Sequence, residues 1–189
     1  MKDIKLIGLL GTAGSGKTTV AKHLFQKHGF RIFSFSKPIK EMAMDYFGVS
    51  YFEAYETKPQ HVRTILQGIG SLVREELGDY ILNEMLLRIK YSDADKIVID
   101  DVRLKEEVEF IKELGGIVIK VETSNAFYCP DNPSELTESQ KQHITEQIDA
   151  IPYDYLISAE YGNLAKLEEG IDAEINRLEE QVRHEKQTD

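Results

Sequence analysis

The residues best equipped for chemistry come early: Gly11-Thr12-Ala13-Gly14-Ser15-Gly16-Lys17-Thr18, followed by Thr19. Glycine at 11, 14 and 16 lets the backbone approach an anion and adopt conformations closed to other residues, so that successive N–H groups converge on one phosphate. The spacing is that of a P-loop, and its context agrees: the apolar run Lys5 to Leu10 precedes it and a helical pattern with Val20, Leu24 and Phe25 follows. The start of that helix adds its dipole to the field. ATP is the expected ligand of residues 11–19, with Lys17 lying across the β and γ phosphates and the Thr18 hydroxyl on Mg²⁺.

A magnesium ion wants a second anchor, usually an Asp at the end of a neighbouring apolar strand. The stretch "KIVIDDVR" offers Asp100 and Asp101, with Arg103 two residues on. Strand alternation sends the two carboxylates in opposite directions, so one of them is expected to face the phosphates. Two plainer readings stand beside this. Asp101 could cap a helix beginning near Leu104, and Arg103 could pair with Glu106 or Glu107 one turn on.

A phosphorylated acceptor would need cations of its own, and Lys40, Arg63 and Arg74 supply them. Arg63, Gln67 and Gly70 recur at helical spacing on one face, and a face mixing Arg, Gln and Gly is not a core stripe. The alternative is ordinary solvated charge.

The elements that must position these groups are legible as alternating β and α units. "RIFSF" from Arg31, "KIVID" from Lys96, "GIVIKV" from Gly116 and "YDYLIS" from Tyr153 read as short buried parallel strands beside the first. Between about 36 and 95 the pattern is helical instead: "PIKEMAMDYF" to Gly48, "QHVRTILQGIGSLVREEL", then "DYILNEMLLRIKY". From Asn163 one apolar stripe of Leu164, Leu167, Ile171, Ile175, Leu178 and Val182 marks a charged C-terminal helix. Docking onto the domain is the favoured use of that stripe, a homodimer seam the other.

With 189 residues the chain has the length of one domain. A net charge of −10, with 23 basic against 33 acidic residues, argues against a nucleic-acid polymer as partner. Cys129 is the single cysteine, so neither an intramolecular disulfide nor a thiolate metal cluster is available. The five histidines, His23, His28, His61, His143 and His184, show no metal-ligand spacing on a shared face. No leader sequence or membrane-spanning run is visible, and the reading is a soluble, cytoplasmic protein with no membrane partner.

These blocks, in order, resemble the deoxynucleoside monophosphate kinases of bacteriophages and, more distantly, the animal-type phosphomevalonate kinases. "SKPIKEMAMDYFGV" is similar to that family's Pro-Ile-Lys helix and carries over Lys40. "VRTILQGIGSLVREELGDYILNEML" resembles the Arg-x-x-x-Gln-x-x-Gly block, carrying over Arg63, Gln67 and Gly70, with Arg74 matching many members. "IDDVRLKEEVEFIKELGGIVIKV" resembles the Asp-Thr-Arg block at Asp101 and Arg103, with Val102 in place of Thr, and Glu107 also matches. "HITEQIDAIPYDYLISAEYGNLAKL" is similar to the His-Ile-Thr-Glu segment and the last strand.

The resemblance implies a three-layer α/β kinase fold with a five-stranded parallel sheet in the order 2-3-1-4-5, a helical monophosphate-binding insertion at about 36–95 and a lid at about 122–146. It implies ATP- and Mg²⁺-dependent transfer to a nucleoside monophosphate, with Lys17, Asp101 and Arg103 catalytic and Lys40, Arg63, Gln67 and Arg74 on the acceptor. One departure stands out. The expected lid, Glu122 to Glu146, contains no arginine and only Lys141 as a cation, and Thr123 stands where relatives have Arg. The rival readings are a kinase of another small metabolite, such as dephospho-coenzyme A or phosphomevalonate, and a non-catalytic nucleotide-binding regulator.

Overall fold

The computed structural model describes residues 5–12, 14–124, 148 and 150–188. Ala13 of the loop and residues 125–146 of the expected lid, with Cys129, Lys141 and His143, lie outside the described residues.

Five parallel strands form the sheet: β1 (Lys5–Leu10), β2 (Arg31–Phe33), β3 (Lys96–Val102), β4 (Ile117–Ser124) and β5 (Tyr155–Glu160). Their order is β2-β3-β1-β4-β5, the order expected, so the P-loop strand lies between β3 and β4. Short Ile- and Val-rich strands suit this place, because helices cover both faces.

On one face lie α1 (Lys17–His28) and α6 (Leu164–Thr188), sharing a core with Ile7, Leu9, Val98, Ile119 and Val121. On the other lie α2 (Lys37–Phe47), α3 (Gln60–Leu77), α4 (Tyr80–Lys90) and α5 (Lys105–Glu113), around Leu6, Leu10, Ile97, Ile99 and Val102. Each leucine or isoleucine buried there contributes about 1.5–3 kcal/mol of transfer free energy. The C-terminal stripe packs inward: Leu167, Ile171 and Ile175 are buried against the α1 side of the sheet. No helix among the described residues is long and apolar enough to cross a membrane.

Three helices occupy the segment between β2 and β3. Pro38 sits in the first turn of α2, and Gly48 ends that helix in a left-handed conformation, its N–H donating to the Ala43 carbonyl. Gly70, buried in α3, leaves room for Ile39 of α2, whose Cδ1 would lie 3.3 Å from an added Cβ. Between α2 and α3 a single π-helical turn, Glu53–Thr57, closes when the Lys58 N–H donates to the Glu53 carbonyl at 3.0 Å.

The regular alternation of β3 breaks at the two aspartates. Gly8 of β1 pairs with Ile99 but Leu10 pairs with Val102, so β3 carries one extra residue between those pairs. This β-bulge moves Val102 onto the core side that Ile97 and Ile99 already occupy. Asp100 and Asp101 are left at the carboxyl end of the strand, beside the P-loop. Simple alternation is therefore not what aims them.

Candidate active site

Two glycines explain how the loop keeps its shape. A Cβ on Gly11 would meet the Val121 carbonyl oxygen at 2.5 Å, and one on Gly16 would meet Leu167 Cδ1 at 2.6 Å. Gly16 also has φ 93°, which only glycine adopts without strain. The loop is thus clamped between β4 and α6. Within it the Ser15 hydroxyl is buried and has no hydrogen-bond partner among the described residues, and Thr18 is exposed on the first turn of α1. Left-handed glycines, an orphan hydroxyl and an exposed threonine together fit a triphosphate with a hard divalent cation.

Lys17 is folded back onto its own loop. Its Nζ donates to the Gly11 carbonyl at 2.7 Å and the Thr12 carbonyl at 2.6 Å. Burial, reinforced by the Arg103 guanidinium, lowers its pKa to about 7, against the opposing pull of Asp101 and Asp100.

The two aspartates divide their work. Asp101 accepts hydrogen bonds from the Ser34 hydroxyl at 2.6 Å and the Ser36 N–H at 2.9 Å on Oδ2, and from the Phe35 N–H at 2.8 Å on Oδ1. Burial alone would raise its pKa, but these donors outweigh it and hold the carboxyl below its ordinary value. So Asp101 fixes the turn that launches α2, and with it Lys40. Its capping role is not at the helix near Leu104. Asp100 has no hydrogen-bond partner among the described residues; burial and the Asp101 carboxylate raise its pKa to about 6, while Lys40, Lys17 and Lys58 pull it down.

Arg103 also departs from its plainer reading. Glu107 does not pair with its guanidinium; Glu107 Oε2 instead accepts the backbone N–H groups of Arg103 at 2.7 Å and Leu104 at 3.1 Å. That shapes the loop into α5 and leaves the Arg103 side chain electrostatically close to Lys17, Lys58 and Arg63. Burial, followed by the nearby Asp101 carboxylate, raises the Glu107 pKa to about 7.

A raised carboxyl pKa means that folding takes up a proton, so the stability Glu107 contributes is present below its ordinary pKa and lost as pH rises through about 7. Glu107→Gln mimics the protonated form and is expected to flatten this dependence. Thermal unfolding should show the variant gaining on the wild type from pH 5 to 8; parallel curves would refute the assignment.

Of the expected acceptor residues, Lys40 and Arg63 join the cluster. Lys40 lies over the Tyr55 ring, 4.5 Å from its centroid, and Arg63 Nε donates to the Lys58 carbonyl at 2.8 Å. Gln67 follows Arg63 one turn along α3. Arg74 is drawn elsewhere, to Glu107 Oε1 at 3.7 Å, and lines an adjoining cavity of about 650 Å³ with Asp79, Ile81, Leu82, Leu104 and Ile151.

Residues 7–127 match the family described as AAA domain. Over 158 residues the chain is 34% identical to a protein of Acanthamoeba polyphaga mimivirus named "Putative deoxynucleotide monophosphate kinase", spanning 69% of this chain and 80% of that one. The chain belongs to the bacteriophage-type deoxynucleoside monophosphate kinase family.

Solved P-loop kinases share the fold of this deoxynucleoside monophosphate kinase family member at lower identity. A gluconokinase from Sinorhizobium meliloti 1021 superposes with a TM-score of 0.56 at 13% identity, over 98% of this chain and 99% of that one. A shikimate kinase from Acinetobacter baumannii, in complex with shikimate, gives 0.54 at 18% identity, over 93% and 95%. Likeness at such identities speaks for the fold alone.

The residue that sequence reasoning missed is Lys58. It has φ 43°, the one non-glycine residue with positive φ among the described residues, and follows the π-helical turn. Strained backbone of this kind is kept where function holds it. Its ammonium is pressed by burial and by Lys40, Arg63 and Arg103, which lower its pKa. The sequence signal was a lysine before Pro59, closing a polar stretch between two helices; nothing there announces left-handed backbone.

Proposed function

We propose that the protein is a Mg·ATP-dependent kinase that transfers the γ-phosphoryl group of ATP to the phosphate of a nucleoside or deoxynucleoside monophosphate. The observation that carries this reading is the second cationic group: Lys40, Arg63 and Arg103 crowd Lys58, and Arg103 and Lys58 in turn press on the P-loop lysine. An acceptor that is itself a phosphate needs such a group; a neutral hydroxyl acceptor does not. Exposed Tyr46, Phe47, Tyr51 and Phe52, with Tyr51 stacked on Tyr55 at 4.5 Å between centroids, offer flat apolar surface for a base on the same side.

In this mechanism the loop amides and Lys17 hold the β and γ phosphates, while Thr18 and Asp100 would supply hard oxygen ligands of the kind that Mg²⁺ prefers. Bound there, Mg²⁺ would offset negative charge on the phosphates. Asp100 is the carboxylate with capacity to spare, and Asp101 sets the turn beside it. Lys40, Lys58 and Arg63 orient the acceptor so that its phosphate oxygen attacks the γ phosphorus in line as the bond to the β-phosphate oxygen breaks, releasing ADP. Arg103, close to both groups of cations, meets the charge that develops between them. No side-chain nucleophile is required.

A coupled assay of ADP formation should show stimulation by a subset of nucleoside monophosphates. Lys58→Ala is expected to raise the acceptor KM about tenfold, one lost charge-assisted contact, with a smaller change in the KM for ATP. Equal background turnover with every monophosphate, alongside stimulation by dephospho-coenzyme A or phosphomevalonate, would overturn the acceptor class.

A further inference from the structure

Away from the loop, on the junction of α1 with α6, two histidines and an aspartate meet in a way that phosphoryl transfer does not use. His23 Nε2 lies 2.9 Å and His28 Nε2 2.7 Å from the same oxygen, Asp172 Oδ1. The three ligand atoms all lie within 4.8 Å of one another. Both imidazoles are 14% exposed and the carboxylate 21%, so the group is half sheltered yet open to entry from solvent.

The surroundings hold these atoms in place. Lys27 Nζ takes the other carboxylate oxygen, Asp172 Oδ2, at 2.6 Å, which turns Oδ1 towards the two rings. Behind His23, Glu168 Oε1 stands 3.7 Å from Nδ1. A carboxylate facing the far ring nitrogen is the outer-shell partner that metal-binding imidazoles ordinarily have, because it fixes the tautomer and raises the basicity of the near nitrogen. Two imidazole nitrogens and one carboxylate oxygen form a ligand set suited to Zn²⁺ and its neighbours in the first transition row, with a fourth position for water.

We infer that His23, His28 and Asp172 form a divalent transition-metal site, with Zn²⁺ the first candidate, that staples the P-loop helix to the C-terminal helix. Binding places each imidazole proton on Nδ1 and gives the cation the three atoms now gathered by hydrogen bonds. The site has a mechanical consequence for the loop. Leu167, just over one turn before Asp172 on α6, is the residue that packs on Gly16. A staple at Asp172 therefore stiffens the wall against which the loop is moulded, and it does so whichever acceptor the enzyme uses.

The test is titration of chelator-treated full-length protein with Zn²⁺ alone, followed by binding stoichiometry and thermal unfolding. One Zn²⁺ per chain should bind and raise Tm by about 5–10 °C at a hundredfold excess over Kd. His28→Gln and Asp172→Asn, each checked for native circular dichroism, should lose both effects. Wild-type protein loaded with Co²⁺ should show visible d–d absorption without a thiolate band, a readout that needs no variant. Absence of binding in the wild type, or undiminished binding in folded variants, would show that the cluster is a hydrogen-bonded salt bridge only.

Discussion

Lys17→Ala is expected to lower ADP formation by about a thousandfold or more, the scale on which a single charge at the transferring phosphoryl group acts. The free enzyme adds a distinctive signature. Lys17 is buried, bonded to the carbonyls of Gly11 and Thr12, and titrates at about 7, so near neutrality a large share of chains hold it uncharged. Triphosphate restores the charge, because an anion in contact favours the ammonium form. ATP binding at pH 8 to 9 should therefore take up close to one proton, falling away below about pH 6. Calorimetry in buffers of different ionisation enthalpy reads this directly, and the alanine variant should show no uptake. Uptake that survives in Lys17→Ala would assign the proton elsewhere.

The same shift fixes the sign of a stability effect. The unfolded chain holds the Lys17 proton up to its ordinary pKa of 10.5, whereas the native chain releases it near 7, so this residue makes stability rise with pH across that interval. A loop that stores an uncharged lysine on its own carbonyls exchanges those bonds for phosphate when nucleotide arrives. The folded-back lysine is thus a stand-in arrangement that keeps the loop satisfied until a ligand takes over.

How much of this could be read from residue order depends on how local each cause is. The span of α3, Gln60–Leu77, was legible because Val62, Ile69 and Val73 fall on one buried face of a helix. The loop was legible because its glycines are required at fixed positions. The sheet order followed from family resemblance, since no local pattern says which strands are neighbours. The orientation of Asp100 and Asp101 was not legible, because the bulge is a property of pairing with β1, ninety residues away in sequence. Strict alternation predicts opposite directions; both carboxylates lie close enough to Lys17 to raise its pKa.

Long-range meetings account for most of the other differences. Lys58 enters the site through a π-helical turn and left-handed backbone that composition does not signal. Arg74 shares a helix with Arg63, yet buried Glu107 on another element captures it. His23 and His28 showed no metal spacing because their third member, Asp172, is brought over by α6. For Arg74 and the two histidines the deciding partner is distant in sequence and close in space, whereas for Lys58 the cause is a local turn that residue types do not announce.

The paired aspartates give the other large expected effect, because Asp101 is held by three hydrogen bonds and Asp100, among the described residues, by none. Asp101→Asn keeps the size of the side chain but replaces one acceptor oxygen with a donor amide, against the N–H groups of Phe35 and Ser36 and the Ser34 hydroxyl. A lost charge-assisted bond and an unsatisfied buried donor cost about 2–3 kcal/mol, which lowers Tm by roughly 4–12 °C in a chain of this size. Because the folded pKa of Asp101 is depressed, its stabilisation is present above the ordinary value of 3.8 and lost as pH falls through the folded value, so wild type and variant should converge in acid. The acceptor KM should rise as well, since the freed turn carries Lys40. Asp100→Asn should behave oppositely: its pKa is raised to about 6, so neutralising it leaves Tm at pH 7 unchanged or higher, while the Mg²⁺ concentration for half-maximal rate increases. Thermal unfolding with a Mg²⁺ titration of both variants separates the roles. A normal Tm in Asp101→Asn with a shifted Mg²⁺ requirement, and no such shift in Asp100→Asn, would exchange them.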